Sequence, residues 1–278
     1  MRYRLLALDL DGTLLDPYGN LSEGVKGAVG AARRRGLRVV VCTGRRFRTA
    51  LPLALALELE GPLVVNNGAL VKDIRSGETR HGNYLPGDLY GEVLSLVRGV
   101  GTPLVYVDRV GGRTDILTER PEQAHPFQRE YLLDAGEFCA VVPDVGAVHA
   151  GDVIMLSTMT DEETAAGLRE QAHERLGERV VMHSLLNKNY RGVIQEFLAP
   201  GSGKWPALAR VAAAEGIAPG EIIAVGDDVN DAEMLRNAGL GIAMGNAVRA
   251  ARSAADLVVR SNAEGGAIEA IERAILKL

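Results

Sequence analysis

Cysteine is scarce in this chain: only Cys42 and Cys139 occur among 278 residues, with no CxxC spacing. A disulfide framework and a thiolate zinc site are both disfavoured, and reduced thiols in a cytoplasmic protein are the simpler reading. Basic excess is also lacking. With 31 Lys and Arg against 36 Asp and Glu, the formal net charge is −5, which argues against a nucleic-acid partner. The densest basic run, "ARRRG" (residues 31–36 with its flanks), reads as a solvated helix end. No apolar run is long enough to cross a bilayer, since Glu58 and Glu60 break the nearest one, "LPLALALELEGPLVV". Arg2 and Arg4 before "LLAL" imitate the start of a signal peptide, but Asp9 and Asp11 interrupt it too early. No two of the histidines share an i, i+4 spacing, so no helical metal pair is expected. The expectation is a cytoplasmic protein with neither a membrane nor a nucleic-acid partner.

What is present is an ordinary globular composition, 47% apolar and 24% charged, with length for one large or two medium domains. In the first third, short β-rich runs alternate with helical patterns. "LLAL" (5–8) predicts a strand, "SEGVKGAVGAARRRG" a helix ending at Gly36, "LRVVVCT" a doubly buried strand, about 47–60 a helix, and "PLVV" a third strand. The last third repeats this rhythm, with a helix over about 204–215, the strand "EIIAVGDD", the helix "DAEMLRNAG", the strand "LGIAMG" and a final helix near 266–278. This alternation predicts an α/β fold with a doubly wound parallel sheet. Between about 83 and 197 strands outnumber helices. "TPLVYVD" and "TDILT" flank "RVGGR" as a hairpin, and "TDEE" (160–163) predicts a capping box for a helix reaching about Leu176. We expect an inserted α+β domain over 83–197, with the core built from 1–82 and 198–278. No internal repeat or low-complexity segment is evident.

Ligands of doubly wound sheets gather beyond the carboxyl ends of the strands. There the sequence places Asp9 and Asp11; Thr43 and Gly44; Asn66, Asn67 and Gly68; and Asp227, Asp228, Asn230 and Asp231, with Lys204 opening the preceding helix. Converging carboxylates without a cation would repel strongly, so a hard, oxygen-preferring metal is implied, and Mg²⁺ fits best. Thr43, the Gly44 amide and Lys204 are suited to phosphate oxygens. The set reads as a phosphoryl-transfer site. An ionised Asp9 can attack phosphorus without a general base. Asp11, two residues on in extended chain, points to the same side and can protonate the leaving oxygen and later activate water. Gly12 permits the tight exit from the strand.

"DLDGTLL", "CTGR", Lys204 and "GDDVNDAEML" resemble, in order and position, the four motifs of the haloacid dehalogenase-like (HAD) hydrolases. "NNGA", "GIAMGNA" and "SNAEGGAIEAI" further resemble the Cof-type branch, with its class IIB cap inserted between the second and third motifs. The resemblance implies Asp9 as nucleophile and Asp11 as general acid/base. It implies phosphate contacts from Thr43, Lys204 and Asn230. It also implies a Mg²⁺ site formed by Asp9, the Asp11 main-chain carbonyl and Asp227, with Asp231 standing behind these ligands. The activity it implies is a Mg²⁺-dependent phosphatase acting on small phosphorylated metabolites through an aspartyl phosphate.

Two departures stand out. Cys42 occupies a position before Thr43 where a small residue is common, and is expected to be a buried structural thiol. Gly265 replaces a usual acidic residue, which predicts a looser loop. Asp228 reads as an exposed loop carboxylate. In the inserted segment, Arg113, His125, His149, His183, Lys188 and Arg191 are possible substrate contacts, with the group 187–191 as the candidate substrate loop. Two other functions stay open: a phosphomutase of the same superfamily, and a phospho-accepting receiver-like protein. Asp11 argues against the receiver, which needs no acid for an alcohol leaving group. Oligomeric state is not legible.

Overall fold

In the computed structural model, which describes residues 2–108, 114–186 and 191–277, the chain divides into two units, 1–81 with 203–278 and 82–202. The first begins with β1 (Leu5–Leu8), whose four residues are all fully buried, as a strand covered on both faces requires. Then come α1 (Glu23–Arg34), β2 (Arg38–Val41), α2 (Phe47–Ala56) and β3 (Pro62–Val65). Ser22 caps α1 by accepting the Val25 amide hydrogen at 3.2 Å.

Two short strands absent from the sequence reading follow, β4 (Leu70–Asp73) and β5 (Thr79–Gly82). They form an antiparallel three-stranded sheet in the order β3-β4-β5. β3 is therefore not a full member of the parallel sheet; it touches it through one parallel bridge, Cys42 to Val64. The left-handed backbone at Asn66, Asn67 and Gly68 reverses the chain into β4 after one turn.

The inserted unit contains α3 (Gly87–Arg98), β6 (Leu104–Val107), β7 (Ile116–Thr118), α4 (Pro126–Ala135), β8 (Cys139–Val141), β9 (Val153–Thr160), α5 (Glu162–Leu176), β10 (Val181–Leu186) and β11 (Val193–Leu198). Its sheet runs β10-β11-β9-β6-β7-β8, antiparallel except for β7 beside β8. Leu89, Val93 and Val97 of α3 and Leu168 and Leu176 of α5 pack with Val105, Leu156 and Phe197. β6 and β7 pair as the expected hairpin, whose turn segment 109–113 lies outside the described residues. The cap of α5 is Asp161, one residue later than expected, its side chain accepting the Thr164 amide hydrogen at 2.8 Å. Asp161 takes the cap because Thr160 is still paired in β9.

The chain returns to the first unit with α6 (Lys204–Ala214), β12 (Ile222–Gly226), α7 (Ala232–Asn237), β13 (Leu240–Ala243), α8 (Arg249–Ala254), β14 (Leu257–Val258) and α9 (Gly266–Ile275). The result is a five-stranded parallel sheet, β14-β13-β12-β1-β2. The two sequence-distant parts meet at its centre, where Leu5 lies opposite Ile222 and Leu8 opposite Val225. The Asp9 amide extends this ladder to the Val225 carbonyl at 3.1 Å. Gly265 takes a left-handed conformation, φ +81°, at the entry to α9. A glycine there relieves backbone strain at the helix start, a more specific role than the loosened loop expected.

Candidate active site

All five strands of the parallel sheet run the same way, so the residues after β1, β2 and β12 emerge at one edge. After β1, residues Leu10–Leu14 form a single wide helical turn interrupted at Asp11 (ψ 113°) and at Gly12, φ +85°. The segment expected to run extended through Asp11 therefore coils at once. It does so because the Leu15 amide returns to the Leu10 carbonyl at 2.9 Å and Gly12 takes the left-handed step.

This turn separates the two aspartates. Asp9 is 3% exposed, and its Oδ1 accepts from Lys204 Nζ at 2.7 Å. Lys204, itself 2% exposed, also donates to Asp231 Oδ1 at 2.7 Å. The other oxygen of Asp231 accepts the Asp227 and Asp228 amide hydrogens at 2.9 and 3.0 Å. Asp227 receives Thr13 Oγ1 at 3.0 Å on Oδ1 and Asn246 Nδ2 at 3.3 Å on Oδ2. Asn246 also reaches the Gly12 carbonyl at 2.8 Å, joining the β1 turn to the turn after β13. Oxygens of Asp9, Asp227 and Asp231 all lie within 4.8 Å of one another.

The electrostatics are those of a charge-rich buried site. Burial pushes the Asp9 carboxyl well above the ordinary range; Lys204 opposes this, and Asp231 and Asp227 add to it by repulsion. Burial alone would lower Lys204, yet Asp231 and Asp9 hold its ammonium well above the usual lysine value. Three buried, hard carboxylates against one ammonium suit a divalent cation with oxygen ligands. Asp9, Asp227 and Asp231 together present the oxygens that would meet it.

Asp11 goes elsewhere. Its carboxylate is held fork to fork by Arg45, with Nε to Oδ2 at 2.7 Å and Nη2 to Oδ1 at 2.6 Å. The hydrogen bonds to Asp11 raise the Arg45 guanidinium still further. Arg45 follows Thr43 and Gly44 directly, and its amide donates to Thr43 Oγ1 at 3.1 Å. Asn67 donates its amide to the Thr43 carbonyl at 3.1 Å and accepts from Asn230 Nδ2 at 2.7 Å through its side chain. Asn230 Oδ1 is buried without a hydrogen-bond partner among the described residues. Gly68 has φ +83°, and a Cβ there would run into the Gly203 carbonyl. That close approach seats the 66–68 turn against the start of α6 and so fixes Lys204.

Every expected site residue of the core thus lies at this edge: Asp9, Asp11, Thr43, Gly44, Lys204, Asp227, Asn230 and Asp231. Asp228 is half-buried and caps the short turn at 229–231, accepting the Val229 amide hydrogen at 2.7 Å. Cys42 is fully buried, and burial pushes its thiol far up. Among the expected contacts of the inserted unit, Arg113, Lys188 and residues 187–190 lie outside the described residues. Arg191 and His149 are exposed. His125 caps α4, accepting the Phe127 amide hydrogen at 3.3 Å, and His183 faces Glu196 across the β10–β11 pair at 3.4 Å. Sequence reasoning missed Thr13, Arg45 and Asn246. Each sits inside a quoted motif, "DGT", "CTGR" or "GIAMGNA", so proximity to the named residues was the available signal.

Residues 6–271 match the haloacid dehalogenase-like hydrolase family. The chain belongs to this family. It falls in the Cof-type branch and is an enzyme of the phosphoric monoester hydrolase kind. It is 28% identical over 267 residues to the 5-amino-6-(5-phospho-D-ribitylamino)uracil phosphatase YitU of Bacillus subtilis, covering 94% of each chain. It is 30% identical over 245 residues to an HMP-PP phosphatase of Escherichia coli, covering 88% of this chain and 85% of the other. A solved haloacid dehalogenase-like hydrolase from Bacteroides thetaiotaomicron superposes with a TM-score of 0.80 at 26% identity, covering 98% of this chain and 99% of that one. Among the described residues, no helix is long and apolar enough to cross a membrane.

Proposed function

We propose that this chain is a Mg²⁺-dependent phosphatase of small phosphorylated metabolites, sugar phosphates or phosphorylated cofactors, working through an aspartyl phosphate. The observation that carries the reading is the buried Asp9 carboxylate, held through one oxygen by Lys204 at the end of the central strand. Such a carboxylate attacks phosphorus without help from a base.

In the first half-reaction a bond forms between an Asp9 oxygen and phosphorus while the ester P–O bond breaks. Asp11 gives its proton to the departing oxygen. In the second, water attacks phosphorus and yields a proton to Asp11. The P–O bond to Asp9 then breaks, orthophosphate leaves, and both aspartates return to their starting states. Thr43, the Gly44 amide, Asn230 and Lys204 supply donors to the phosphoryl oxygens as charge builds on them. Asp9, Asp227 and the Asp11 main-chain carbonyl would hold Mg²⁺, which when bound offsets the charge of carboxylates and phosphoryl group. Asp231 keeps Lys204 and the 227–228 backbone in register.

Residues 1–81 and 203–278 are the hydrolase core in this reading, and the inserted unit selects the substrate. The two named phosphatase relatives support a small phosphorylated substrate. The test is phosphate release from a broad panel of phosphorylated metabolites, with Mg²⁺ or EDTA, beside Asp9→Asn. Release that needs Mg²⁺ and vanishes in the variant upholds the reading. Release seen only with a bisphosphate activator makes the chain a phosphomutase instead.

A further inference from the structure

We propose that the first unit carries a second anion site at α8, apart from the donors of the catalytic edge, and that it takes a tetrahedral oxyanion such as phosphate. A cavity of about 440 Å³ is lined there by Ala247, Arg249, Arg252 and Ser253. The lining offers two guanidiniums and a hydroxyl, and no carboxylate. Arg249 and Arg252 stand at i and i+3 in α8, with Ser253 at i+4 from Arg249, so the three side chains share one helix face. Like charges at that spacing repel each other, and nothing in the cavity lining offsets them. Elsewhere on the surface Arg4, Arg38, Arg179 and Arg273 each meet a glutamate. The Arg249 guanidinium meets no acid and makes no side-chain hydrogen bond among the described residues.

Arg252 is oriented by neutral partners. Its Nε donates to the Ala247 carbonyl at 2.9 Å and its Nη2 to the Gly245 carbonyl. These bonds fix the guanidinium without neutralising it, and they leave donors over in its planar fork. A tetrahedral oxyanion fits the set. Its oxygens take paired donors from a guanidinium, and the Ser253 hydroxyl supplies one more. All three side chains are exposed, so these bonds compete with water, and a dissociation constant of about 1 mM is the order to expect. The site adjoins the catalytic edge. The Val248 amide donates to the Asp227 carbonyl at 2.9 Å, and Asn246, between the two carbonyls that Arg252 holds, reaches the Asp227 carboxylate at 3.3 Å. The same chemistry serves free orthophosphate and a second phosphate carried by the substrate.

The test titrates orthophosphate by calorimetry into the full chain in EDTA, at constant ionic strength, for the wild type, Arg249→Ala and Arg249→Glu. Without a divalent cation the carboxylates of the catalytic edge repel phosphate, so the α8 site is read by itself. We expect one saturable event in the wild type, weakened about 10-fold in Arg249→Ala and abolished in Arg249→Glu. Arg249 is exposed and unpaired among the described residues, so neither substitution disturbs the fold, and an unchanged Tm verifies this. Saturable binding of equal strength in all three proteins would overturn the inference and put the ion elsewhere. Heats that follow ionic strength alone would overturn it too. The source of the oxyanion is read by binding fructose 1,6-bisphosphate and fructose 6-phosphate, with Mg²⁺, to Asp9→Asn, with and without Arg249→Ala. An advantage of the bisphosphate that falls about 10-fold with Arg249→Ala assigns the site to a substrate's second phosphate. No such change, beside lost orthophosphate binding, assigns it to the free ion. Both comparisons read binding and need no turnover, so the inference is judged separately from the phosphatase reading, which rests on phosphate release.

Discussion

Lys204 and Asp9, 195 residues apart in sequence, form a buried ion pair with Nζ 2.7 Å from Oδ1. The same ammonium holds Asp231. One cation thus compensates two buried carboxylates, and a third, Asp227, stands beside them. Removing one partner of such a cluster leaves uncompensated charge in a medium that solvates it poorly.

Lys204→Met should therefore cost about 3–5 kcal/mol of stability as well as activity. Urea unfolding of the metal-free protein measures the first and phosphate release the second. An unchanged urea midpoint would show that the carboxylates need no compensation from the lysine.

Asp9→Asn should act in the opposite way on the two readouts. It removes the nucleophile, so turnover should fall by at least about a thousandfold. It also removes one of three mutually repelling carboxylates while leaving Lys204 paired with Asp231, so thermal stability should be kept or raised. Substantial residual turnover would move the nucleophile elsewhere.

Asp227→Asn should weaken metal binding without displacing the strand ends, since Thr13 and Asn246 can still hydrogen-bond the amide. Titrating Mg²⁺ against phosphate release should show a half-saturating concentration raised by about 10-fold or more. The Mg²⁺-induced rise in Tm of the wild type should shrink correspondingly. An unaltered Mg²⁺ dependence would exclude Asp227 as a ligand.

A pH-dependent contribution is expected in the inserted unit. Glu119, 1% exposed, receives Arg98 at 2.6 and 2.8 Å, Arg120 at 2.7 Å and the Val145 amide at 3.0 Å. These bonds, with that from Arg98 foremost, pull its carboxyl down to about 2. A depressed carboxyl stabilises fully above its unfolded value of about 4.3, and that stability is lost as pH falls towards the folded value. Glu119→Gln should thus destabilise most at pH 7, with the gap from wild type narrowing by pH 3. Urea midpoints at the two pH values check this; a constant gap would mean the charge contributes nothing.

Much of the fold was legible because its signals are local. The apolar run before Asp9 reads as a strand and "LRVVVCT" as a doubly buried one, and the alternation of such runs with helical periods reads as a parallel sheet. The β4–β5 hairpin was not legible. "NNGA" reads as a turn, but whether the chain then continues or doubles back depends on the left-handed pair Asn66 and Asn67 and on Gly68 seated against Gly203. The helix cap at Asp161 was misplaced by one residue for a similar reason: strand pairing at Thr160 outranks its local capping preference.

The sequence by itself determined which chemistry was available: carboxylates, a threonine, a lysine and asparagines at the ends of predicted strands, in an order shared with a known family. Such residue types follow from what phosphate and a hard cation require, so their identity survives without coordinates. Only the tertiary structure decided how they pair. Asp9 and Asp11, two residues apart, face different cations, Lys204 and Arg45, because the chain coils immediately after Asp9. Asp231 holds Lys204 and the 227–228 backbone, while Asp227 is held by Thr13 and Asn246. These assignments depend on distances between segments some 200 residues apart, and pairing energy falls too steeply with distance for sequence order to fix it.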